Sequence, residues 1–494
     1  MEERTIEINT KGGVVPFNRF FLECANSCHA YLTLREDFRE HLRLIQSEIG
    51  FKRLRFHGIF HDWVGVCQTD FKGGVLHNFQ NVDIIYDNLV KQGIKPFVEI
   101  GFMPELLASG STTIFNYKAN TSPPSDWAKW EALVSAFVRH LIGRYGLEEV
   151  RAWHFEIWNE PNLEGFWPSG QEAYFNLYGK TARVVKDVDA KLRVGGPATA
   201  LTAWVPEFLA YCAKTKSPVD FVSTHHYCAS RGLILGKVTK ERTYRGIHAM
   251  ADDIRRLGSE IKASPLPDLP LYITEWNVTP AHEDTYGKDS EFTATFMLEN
   301  LRAVRGLTDI YALWAVSDVF EESGITAFPF SGKYGLVNLN GIKKPSYHAF
   351  RFLSGMYDME IDTREPSMVV TRNKENNIKL LTWNHNEPTR VDYTGEEWEV
   401  PLKERKETIR LSGLSGRRRV RVWRVDRDHG NAWRAWQAMG SPQYLSAAQA
   451  EDLKHKAEPV LEKDEVVAAD GVLVLSHVLP GLGIRYYEID ISNF

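Results

Sequence analysis

Short apolar runs alternate with amphipathic segments between residues 18 and 316 of this chain of 494 residues. Each run is nearly continuous in apolar character, which is typical of parallel strands buried on both faces. The predicted strands are 19–26, 51–58, 95–102, 151–159, 192–198, 220–227, 271–277 and 310–316. Eight strands in series with intervening helical segments predict an α/β fold, a (β/α)8 or TIM barrel.

The segments between these strands have the spacing of helices that pack one face on a core. The segment 35–50 is predicted to bury Phe38, Leu42 and Ile45. The segment 81–94 is predicted to bury Ile84, Ile85, Leu89 and Val90. A third, longer helix is predicted at 126–146, and all three segments contain a glycine suited to ending a helix. An open doubly wound sheet is the competing fold, but it would carry a Gly-rich phosphate turn after its first strand, and the sequence has none there.

After about residue 350 the pattern changes to strands almost without helices. The predicted strands are 367–373, 377–384, 390–400, 407–413, 417–426, 471–479 and 483–490, with one helix at 446–459. This pattern predicts a C-terminal antiparallel β-sandwich, and the strand-like "RTIEIN" at 4–9 is predicted to join it. We therefore expect a catalytic barrel at 14–346 and a β-sandwich accessory domain formed by 1–13 and 347–494.

Composition narrows the class of protein. A net charge of −5 and a pI near 6.4 give no sign of the basic surface that nucleic acids or anionic membranes require. The start "MEERTIEINTKGG" has no apolar signal core, and no later run approaches the roughly 18 apolar residues of a membrane span. Five scattered cysteines are expected to be reduced thiols. These features predict a cytoplasmic protein with no nucleic-acid or membrane partner.

Catalytic groups of a TIM barrel lie at the carboxyl ends of its strands. Polar and aromatic side chains collect at the predicted ends: Asn26, Ser27, Arg55, His57, Glu105, Asn159, Glu160, His225, His226, Tyr227, Glu275, Trp276, Asn277, Trp314 and Asp318. Such side chains at one rim are what an active site needs, and selection for stability alone would avoid them.

Two glutamates stand out at these ends. Glu160 lies in "HFEIWNEPN" at 154–162, and Glu275 lies in "YITEWN" at 272–277. Two carboxyl groups on either side of a sugar carry out glycoside hydrolysis, one protonated and one ionised. A glutamate that only caps a strand is the simpler alternative, but it does not account for two, both beside Trp and Asn. Pro161 predicts an extended backbone at Glu160.

The segments "FEIWNEPN" and "ITEWN" resemble the acid/base and nucleophile sequences of retaining glycosidases with catalytic groups on strands four and seven. Further segments resemble the glycoside hydrolase family of β-xylosidases and α-L-iduronidases: "AYLTLREDFREHL" (30–42), "LRFHGIFHD" (54–62), "PFVEIGFMPELLASG" (96–110), "RYGLEEV" (144–150), "FVSTHHY" (221–227), "SDVFEE" (317–322), "KPSYHAF" (344–350) and "DHGNAWRAWQAMGSPQY" (428–444). The resemblance spans nearly the whole chain and is closest to the bacterial β-xylosidase branch. The iduronidase branch has an acidic, proline-containing stretch where this chain has "TEWN".

The resemblance implies a role for each matching residue. Glu160 matches the general acid/base, Glu275 matches the nucleophile, and Asn159 matches the residue that binds the sugar 2-OH. The residues implied to bind the sugar further are His57, His225, Tyr227, Trp314, Glu321 and Glu322. Tyr227 is also expected to orient Glu275, and Arg55 is expected to lie behind the site and lower the pKa of Glu275. Phe166 and Trp167 are expected to border the leaving group, whereas His226 is expected to serve packing.

The implied function is an exo-acting, retaining β-1,4-xylosidase of xylo-oligosaccharides with no metal or organic cofactor; the resemblance also allows a homo-oligomer. An α-L-iduronidase or α-L-arabinosidase is the alternative, and a uronate substrate would need a cation near its carboxylate. A metal-dependent hydrolase is disfavoured because His57 and His61 lack the HExxH pattern. A non-catalytic sugar-binding protein is disfavoured because both glutamates are present.

Overall fold

The computed structural model describes residues 2–234, 237–391 and 398–492. Eight parallel strands close into a barrel, in the order in which they occur along the chain. They are β1 Ala25–His29, β2 Arg53–His57, β3 Lys95–Ile100, β4 His154–Ile157, β5 Arg193–Thr199, β6 Phe221–Tyr227, β7 Leu271–Asn277 and β8 Ile310–Leu313. The predicted (β/α)8 barrel is therefore confirmed.

The α-helices surround the barrel or lie in the C-terminal part of the chain. Their bounds are Glu36–Glu48, Gln80–Lys91, Trp127–Tyr145, Leu147–Arg151, Gly170–Val188, Val205–Thr215, Ala249–Lys262, Thr285–Asp289, Glu291–Val304, Pro345–Ser354, Ala432–Ala438 and Ala447–Ala457. Short 3-10 helices occur at Phe20–Leu22, Ala30–Leu34, Glu105–Leu107 and Ala200–Thr202. No helix of the described residues is long and apolar enough to cross a membrane.

Local sequence accounts for how these helices begin and pack. In Trp127–Tyr145 the Asp126 carboxylate accepts hydrogen bonds from the second and third backbone N–H groups of the helix, and Gly146 follows at φ +85°. Helix Glu36–Glu48 buries Phe38, Leu42 and Ile45, as predicted. In Gln80–Lys91, however, Ile84 is exposed, and Val82 and Tyr86 are buried beside Ile85 and Leu89.

The first barrel strand begins later than the sequence predicts. Residues 20–22 form a 3-10 helix, and β1 starts at Ala25. The Asn18 side chain accepts a hydrogen bond of 3.0 Å from the backbone N–H of Phe20, which favours a turn over an extended chain here. Phe20, Phe21 and Leu22 are buried, so their apolar character reflects core packing and not a strand.

The C-terminal part forms one mostly antiparallel sheet that folds over its own apolar core. Its strands are Glu2–Asn9, Val14–Pro16, Met359–Ile361, Met368–Arg372, Ile378–Trp383, Arg405–Val425, Val460–Leu479 and Ile484–Ile491. The two strands predicted at 407–413 and 417–426 are one strand of 21 residues. Glu2–Asn9 joins this sheet as predicted, parallel to Arg405–Ser412.

Short two-stranded ribbons lie outside the barrel and the large sheet. They pair Cys67–Thr69 with Val75–His77, Thr113–Ile114 with Ala119–Asn120, Ala229–Ile234 with Lys237–Tyr244, and Arg390–Val391 with Trp398–Glu399. The strand predicted at 390–400 therefore lies partly outside the described residues, with its two ends paired to each other.

The predicted domain limits remain predictions, but two elements cross them. Val14–Pro16 pairs with Met359–Ile361 in the large sheet, although the barrel was expected to begin at residue 14. Helix Pro345–Ser354 packs on the helix Glu291–Val304 of the barrel and runs past the predicted limit at 346. Apolar side chains on both sides of these limits belong to one continuous core.

Candidate active site

The two glutamates meet at the carboxyl rim of the barrel. Glu160 follows β4 by three residues, and Glu275 is the fifth residue of β7. Both side chains are buried, with 8% and 5% of the residue exposed. One oxygen of each carboxyl group and one ring nitrogen of His225 all lie within 4.8 Å of one another. The His225 Nδ1 atom is 3.1 Å from Oε1 of Glu160 and 3.6 Å from Oε2 of Glu275. The carboxyl groups therefore face a common space.

The backbone at Glu160 is not extended, so that prediction is wrong. Its φ is +43°, in the left-handed region. The Glu160 N–H donates a 2.8 Å hydrogen bond to the carbonyl of Ala198, the sixth residue of β5. The Asn162 side chain then bonds both the N–H and the C=O of Ala200, at 2.8 and 3.0 Å. These hydrogen bonds to β5 and the residues after it outweigh the local preference of a residue before proline.

Different surroundings set the charge of each glutamate. Burial raises the pKa of Glu160 well above its ordinary value, and the negative charge of Glu275 raises it further. Burial raises the pKa of Glu275 only to about 7, because the charges of His57 and Arg55 and a hydrogen bond from Tyr227 favour its ionised form. Glu160 therefore holds its proton at a pH where Glu275 has lost its own.

Tyr227 is expected to tune the ionisation of Glu275, since its hydroxyl donates directly to Oε1 of that carboxylate. Tyr227→Phe removes a hydrogen bond to a charged group, worth about 1.5–3 kcal/mol. The pKa of Glu275 should rise above its present value of about 7. The acid limb of the pH profile of kcat/KM should then move to higher pH by about one to two pH units. An acid limb that stays in place in Tyr227→Phe would contradict this coupling.

Arg55 lies at the centre of a fully buried ionic network below the glutamates. Its Nε is 2.6 Å from Oε2 of Glu156, and its Nη2 is 2.8 Å from Oε2 of Glu99. The same Nη2 donates to Oδ1 of Asn159 at 2.8 Å, and Nη1 is 3.7 Å from Oε2 of Glu275. Arg55 therefore orients Asn159 beside the acid and stabilises the ionised form of Glu275.

The sequence prediction missed Glu99 and Glu156. Each lies within a barrel strand and is buried in the barrel interior. Because the neighbouring residues in the sequence are mostly apolar, each segment has the pattern of a core strand without a functional side chain. The available signal is a single charge inside an otherwise apolar strand, because such a charge must find a buried partner. Thr274 completes the network by donating to Oε1 of Glu156 at 2.8 Å.

Removal of the Arg55 charge should destabilise the whole chain. Arg55→Met leaves Glu156 buried without its cation and Glu99 with His57 as its partner, and breaking a buried pair in this way costs about 3–5 kcal/mol. We expect the free energy of unfolding from urea denaturation to fall by that amount. The exposed Arg139, whose guanidinium group bonds the Ser135 hydroxyl on its own helix, provides the control Arg139→Met. Equal stability of the two variants would contradict the role of the network.

The other side of the pocket combines His57, Trp314 and Glu322. The His57 Nδ1 atom is 2.7 Å from Oε2 of Glu99, and the two ring centroids of His57 and Trp314 are 4.7 Å apart. Although burial opposes the charged form, Glu99 raises the pKa of His57. Glu322 is buried, with Oε1 at 3.8 Å from His57 Nε2 and Oε2 at 3.2 Å from Nε2 of His282. His282, on the loop after β7, was not predicted from the sequence.

Some predicted rim residues lie elsewhere. Glu321 forms an ion pair of 2.6 Å with Arg35, away from the two catalytic candidates. Glu105 is exposed and its backbone N–H bonds the Asp62 carboxylate. Asp318 is buried at 2.7 Å from the Lys344 ammonium. These residues follow strand ends in the chain, but the loops turn their side chains towards other partners.

The predicted aromatic residues and His226 also fall into two groups, those connected to the pocket and those packed in the core. Phe166 packs on Phe115, whose ring is stacked at 6.2 Å from that of His57. Trp167 is buried against Trp158, 5.1 Å between ring centroids. Trp276 stacks on Tyr311, and His226 contacts the hydroxyl of the same tyrosine at 3.0 Å. Phe166 is therefore connected to the pocket, whereas Trp276 and His226 pack in the core.

Glu160, His225 and Glu275 also have the spacing of a metal-ligand group among the described residues. Positive groups beside Glu275 and the proton on Glu160 already compensate the charge of this pair, which disfavours a further cation. The Arg55 guanidinium and the His57 ring both carry positive charge towards Glu275. Burial and the charges of Arg55 and His57 also lower the pKa of His225. Its ring is therefore neutral, and it contacts Glu160 through a hydrogen bond and not through an ion pair.

The chain is similar to characterised proteins along nearly its whole length. The family model "Glycosyl hydrolases family 39" matches residues 4–474. The chain is 39% identical over 477 residues to a beta-xylosidase of Caldicellulosiruptor saccharolyticus, covering 94% of both chains. It superposes with a TM-score of 0.92 on a monomeric beta-xylosidase from Caulobacter crescentus CB15, at 37% identity and 99% of both chains. It is 24% identical over 477 residues to an alpha-L-iduronidase of Mus musculus, covering 87% of this chain and 71% of that protein.

Proposed function

Because the chain belongs to glycosyl hydrolases family 39, we propose that it is a retaining, exo-acting β-1,4-xylosidase that releases xylose from the non-reducing ends of xylo-oligosaccharides. The observation that carries the proposal is the pair of carboxyl groups of Glu160 and Glu275, with oxygens within 4.8 Å of each other. Retaining enzymes place these groups about 5–5.5 Å apart, whereas inverting enzymes separate them by about 6.5–9.5 Å to admit a water.

The reaction takes place in two displacements. Glu275 attacks the anomeric carbon while Glu160 gives its proton to the leaving oxygen, and a xylosyl-enzyme ester forms. Glu160, now ionised, takes a proton from water, and that water releases xylose with the original configuration. The raised pKa of Glu160 suits the proton donor, and the lower pKa of Glu275 suits the nucleophile.

Asn159 and Glu322 are proposed to hold the sugar hydroxyls. Arg55 fixes the Asn159 amide by bonding its oxygen, which leaves the amide N–H groups for the sugar 2-OH next to Glu160. Such a bond strengthens towards the transition state. Glu322, held between His57 and His282, presents acceptor oxygens to hydroxyl groups further from the reacting carbon.

The side of the pocket formed by His57, His282 and Glu322 favours a xyloside over a uronide as the substrate. A uronate carboxylate needs a free cation, but the two histidines there already face the carboxylate of Glu322. That negative charge would repel a second one in the same space. The higher identity to the beta-xylosidase than to the alpha-L-iduronidase supports the same choice.

A panel of aryl glycosides tests the proposal. We expect p-nitrophenyl β-D-xyloside to be hydrolysed with a kcat/KM at least about tenfold above the α-L-arabinoside, and no turnover of the α-L-iduronide. Proton NMR of the first product should show β-xylose before mutarotation. A first product of α configuration would overturn the proposal, and so would turnover of the iduronide that is faster than that of the xyloside. If none of the three glycosides were hydrolysed, the chain would be a non-catalytic sugar-binding protein instead.

No assembly of chains is part of this proposal, because the similar enzyme of Caulobacter crescentus is described as monomeric. The homo-oligomer and the cytoplasmic location expected from the sequence stay predictions. Gel filtration with light scattering measures the first directly.

A further inference from the structure

The end of the barrel where the strands begin contains a second polar cavity, of about 330 Å³. It is lined by Arg53, His154 and Arg193, which are the first residues of β2, β4 and β5, and by Tyr272, the second residue of β7. His154 and Arg193 are direct neighbours in the pairing of β4 with β5. The cavity is therefore built by strand positions at the face opposite Glu160 and Glu275.

The ring of His154 lines this cavity and carries a buried donor. His154 is 1% exposed, and burial, helped by the charges of Arg53 and Arg193, lowers its pKa to about 3, so the ring is neutral. Its Nε2 faces Nη1 of Arg193 at 3.5 Å. Because a guanidinium group only donates, Nε2 must accept, and the proton must be on Nδ1. The Nδ1 atom is buried and has no hydrogen-bond partner among the described residues.

The two arginines add further donors. The buried Nε of Arg53 also has no hydrogen-bond partner among the described residues. The guanidinium group of Arg193 has His154 as its hydrogen-bond contact, and no carboxylate of the described residues lies within ion-pair distance of it. A cavity with more donors than acceptors is suited to an acceptor-rich ligand.

The two carboxylates of this lining do not cancel that excess. Glu23 is already committed, with Oε1 paired to Lys52 and Oε2 at 2.8 Å from Nη1 of Arg53. Asp309 and Arg193 are both exposed, so water screens both charges. With Lys52, Arg53 and Arg193 against Glu23 and Asp309, the group keeps one positive charge in excess. A cavity of about 330 Å³ has room for a phosphate group together with a small organic part.

We propose that this cavity is a binding site for a small oxyanion, with the phosphate group of inorganic phosphate or of a phosphate monoester held between Arg53, His154 and Arg193. Arginine pairs with phosphate oxygens through two parallel N–H groups, and a neutral histidine donates one more. The proposal does not depend on the proposed glycosidase reaction, since the site is at the other end of the barrel.

The full-length chain is titrated with sodium phosphate by calorimetry, at constant ionic strength maintained with sodium chloride. We expect saturable binding of one phosphate and a rise in Tm that follows the same affinity. Arg193→Ala should weaken binding at least about tenfold, Arg193→Lys should weaken it less, and the exposed Arg139→Ala should leave it unchanged. Circular dichroism verifies that each variant is folded.

Two further titrations test where phosphate binds and which kind of phosphate is the natural ligand. Phosphate binding should be the same with 0.1 M xylose present, because the catalytic pocket is separate; competition by xylose would overturn the proposal. Glycerol 3-phosphate should bind more tightly than inorganic phosphate if the natural ligand is a monoester, and more weakly if it is free phosphate. No saturable binding of either probe, or equal binding by wild type and Arg193→Ala, would also overturn it.

Discussion

Replacement of Glu275 by alanine should lower kcat/KM by at least about 10⁴-fold on every xyloside, about 5.5 kcal/mol of transition-state stabilisation. The reason is that Glu275 forms the bond to the anomeric carbon, so no choice of leaving group compensates for its loss. Azide should restore turnover, because the alanine leaves space for a small nucleophile on the face where the carboxylate stood. The product should be α-xylosyl azide, formed by a single inversion.

The control for this experiment is Glu105→Ala, at the same rim but with an exposed side chain. Its kcat/KM should match that of the wild type. If Glu275→Ala retained more than about one per cent of wild-type activity without azide, or if azide gave the β product, Glu275 would not be the nucleophile.

Glu160→Ala should instead separate substrates by their leaving groups. General acid catalysis is worth about 10²–10⁴-fold, and only a leaving group that needs a proton loses it. We expect xylobiose hydrolysis to fall by that factor, whereas 2,4-dinitrophenyl β-xyloside should still form the xylosyl-enzyme rapidly. Azide should then attack this intermediate and give β-xylosyl azide, the opposite configuration to the Glu275 variant.

The pH profile of Glu160→Ala supplies an independent measurement. In the wild type, activity should fall at high pH as Glu160 loses the proton that its raised pKa retains. This basic limb should be absent from kcat/KM of the variant on the dinitrophenyl substrate. If Glu160→Ala hydrolysed xylobiose as fast as the wild type, the assignment of the acid would fail.

The barrel and the two glutamates could be predicted because both depend on local sequence. A strand buried on both faces must be largely apolar, and a carboxylate close to its carboxyl end, as Glu160 is, is conspicuous. The resemblance then identified Asn159, Tyr227 and Glu322 by position. The roles of Asn159 and Glu322 stay predictions, and Tyr227→Phe tests that of Tyr227.

What the sequence did not predict depends on partners distant in the chain. Arg55 binds Glu156, 101 residues away, and nothing local to either residue indicates that pair. The left-handed backbone of Glu160 is held by its hydrogen bond to Ala198 on the neighbouring strand β5. Glu321 and Glu322 are adjacent and chemically identical, yet Glu322 faces His57 whereas Glu321 pairs with Arg35, a residue 286 positions away in the chain.

The pairing of Glu2–Asn9 with Arg405–Ser412 has a consequence for biosynthesis. Strand Glu2–Asn9 can acquire this neighbour only after some 400 further residues have been made. At about 5–20 residues per second this delay is roughly 20–80 s. During that time its two isoleucines, Ile6 and Ile8, which the finished protein buries, are open to chaperones and to other nascent chains. A newly made molecule should therefore gain resistance to N-terminal proteolysis late, after the barrel strands have already been synthesised.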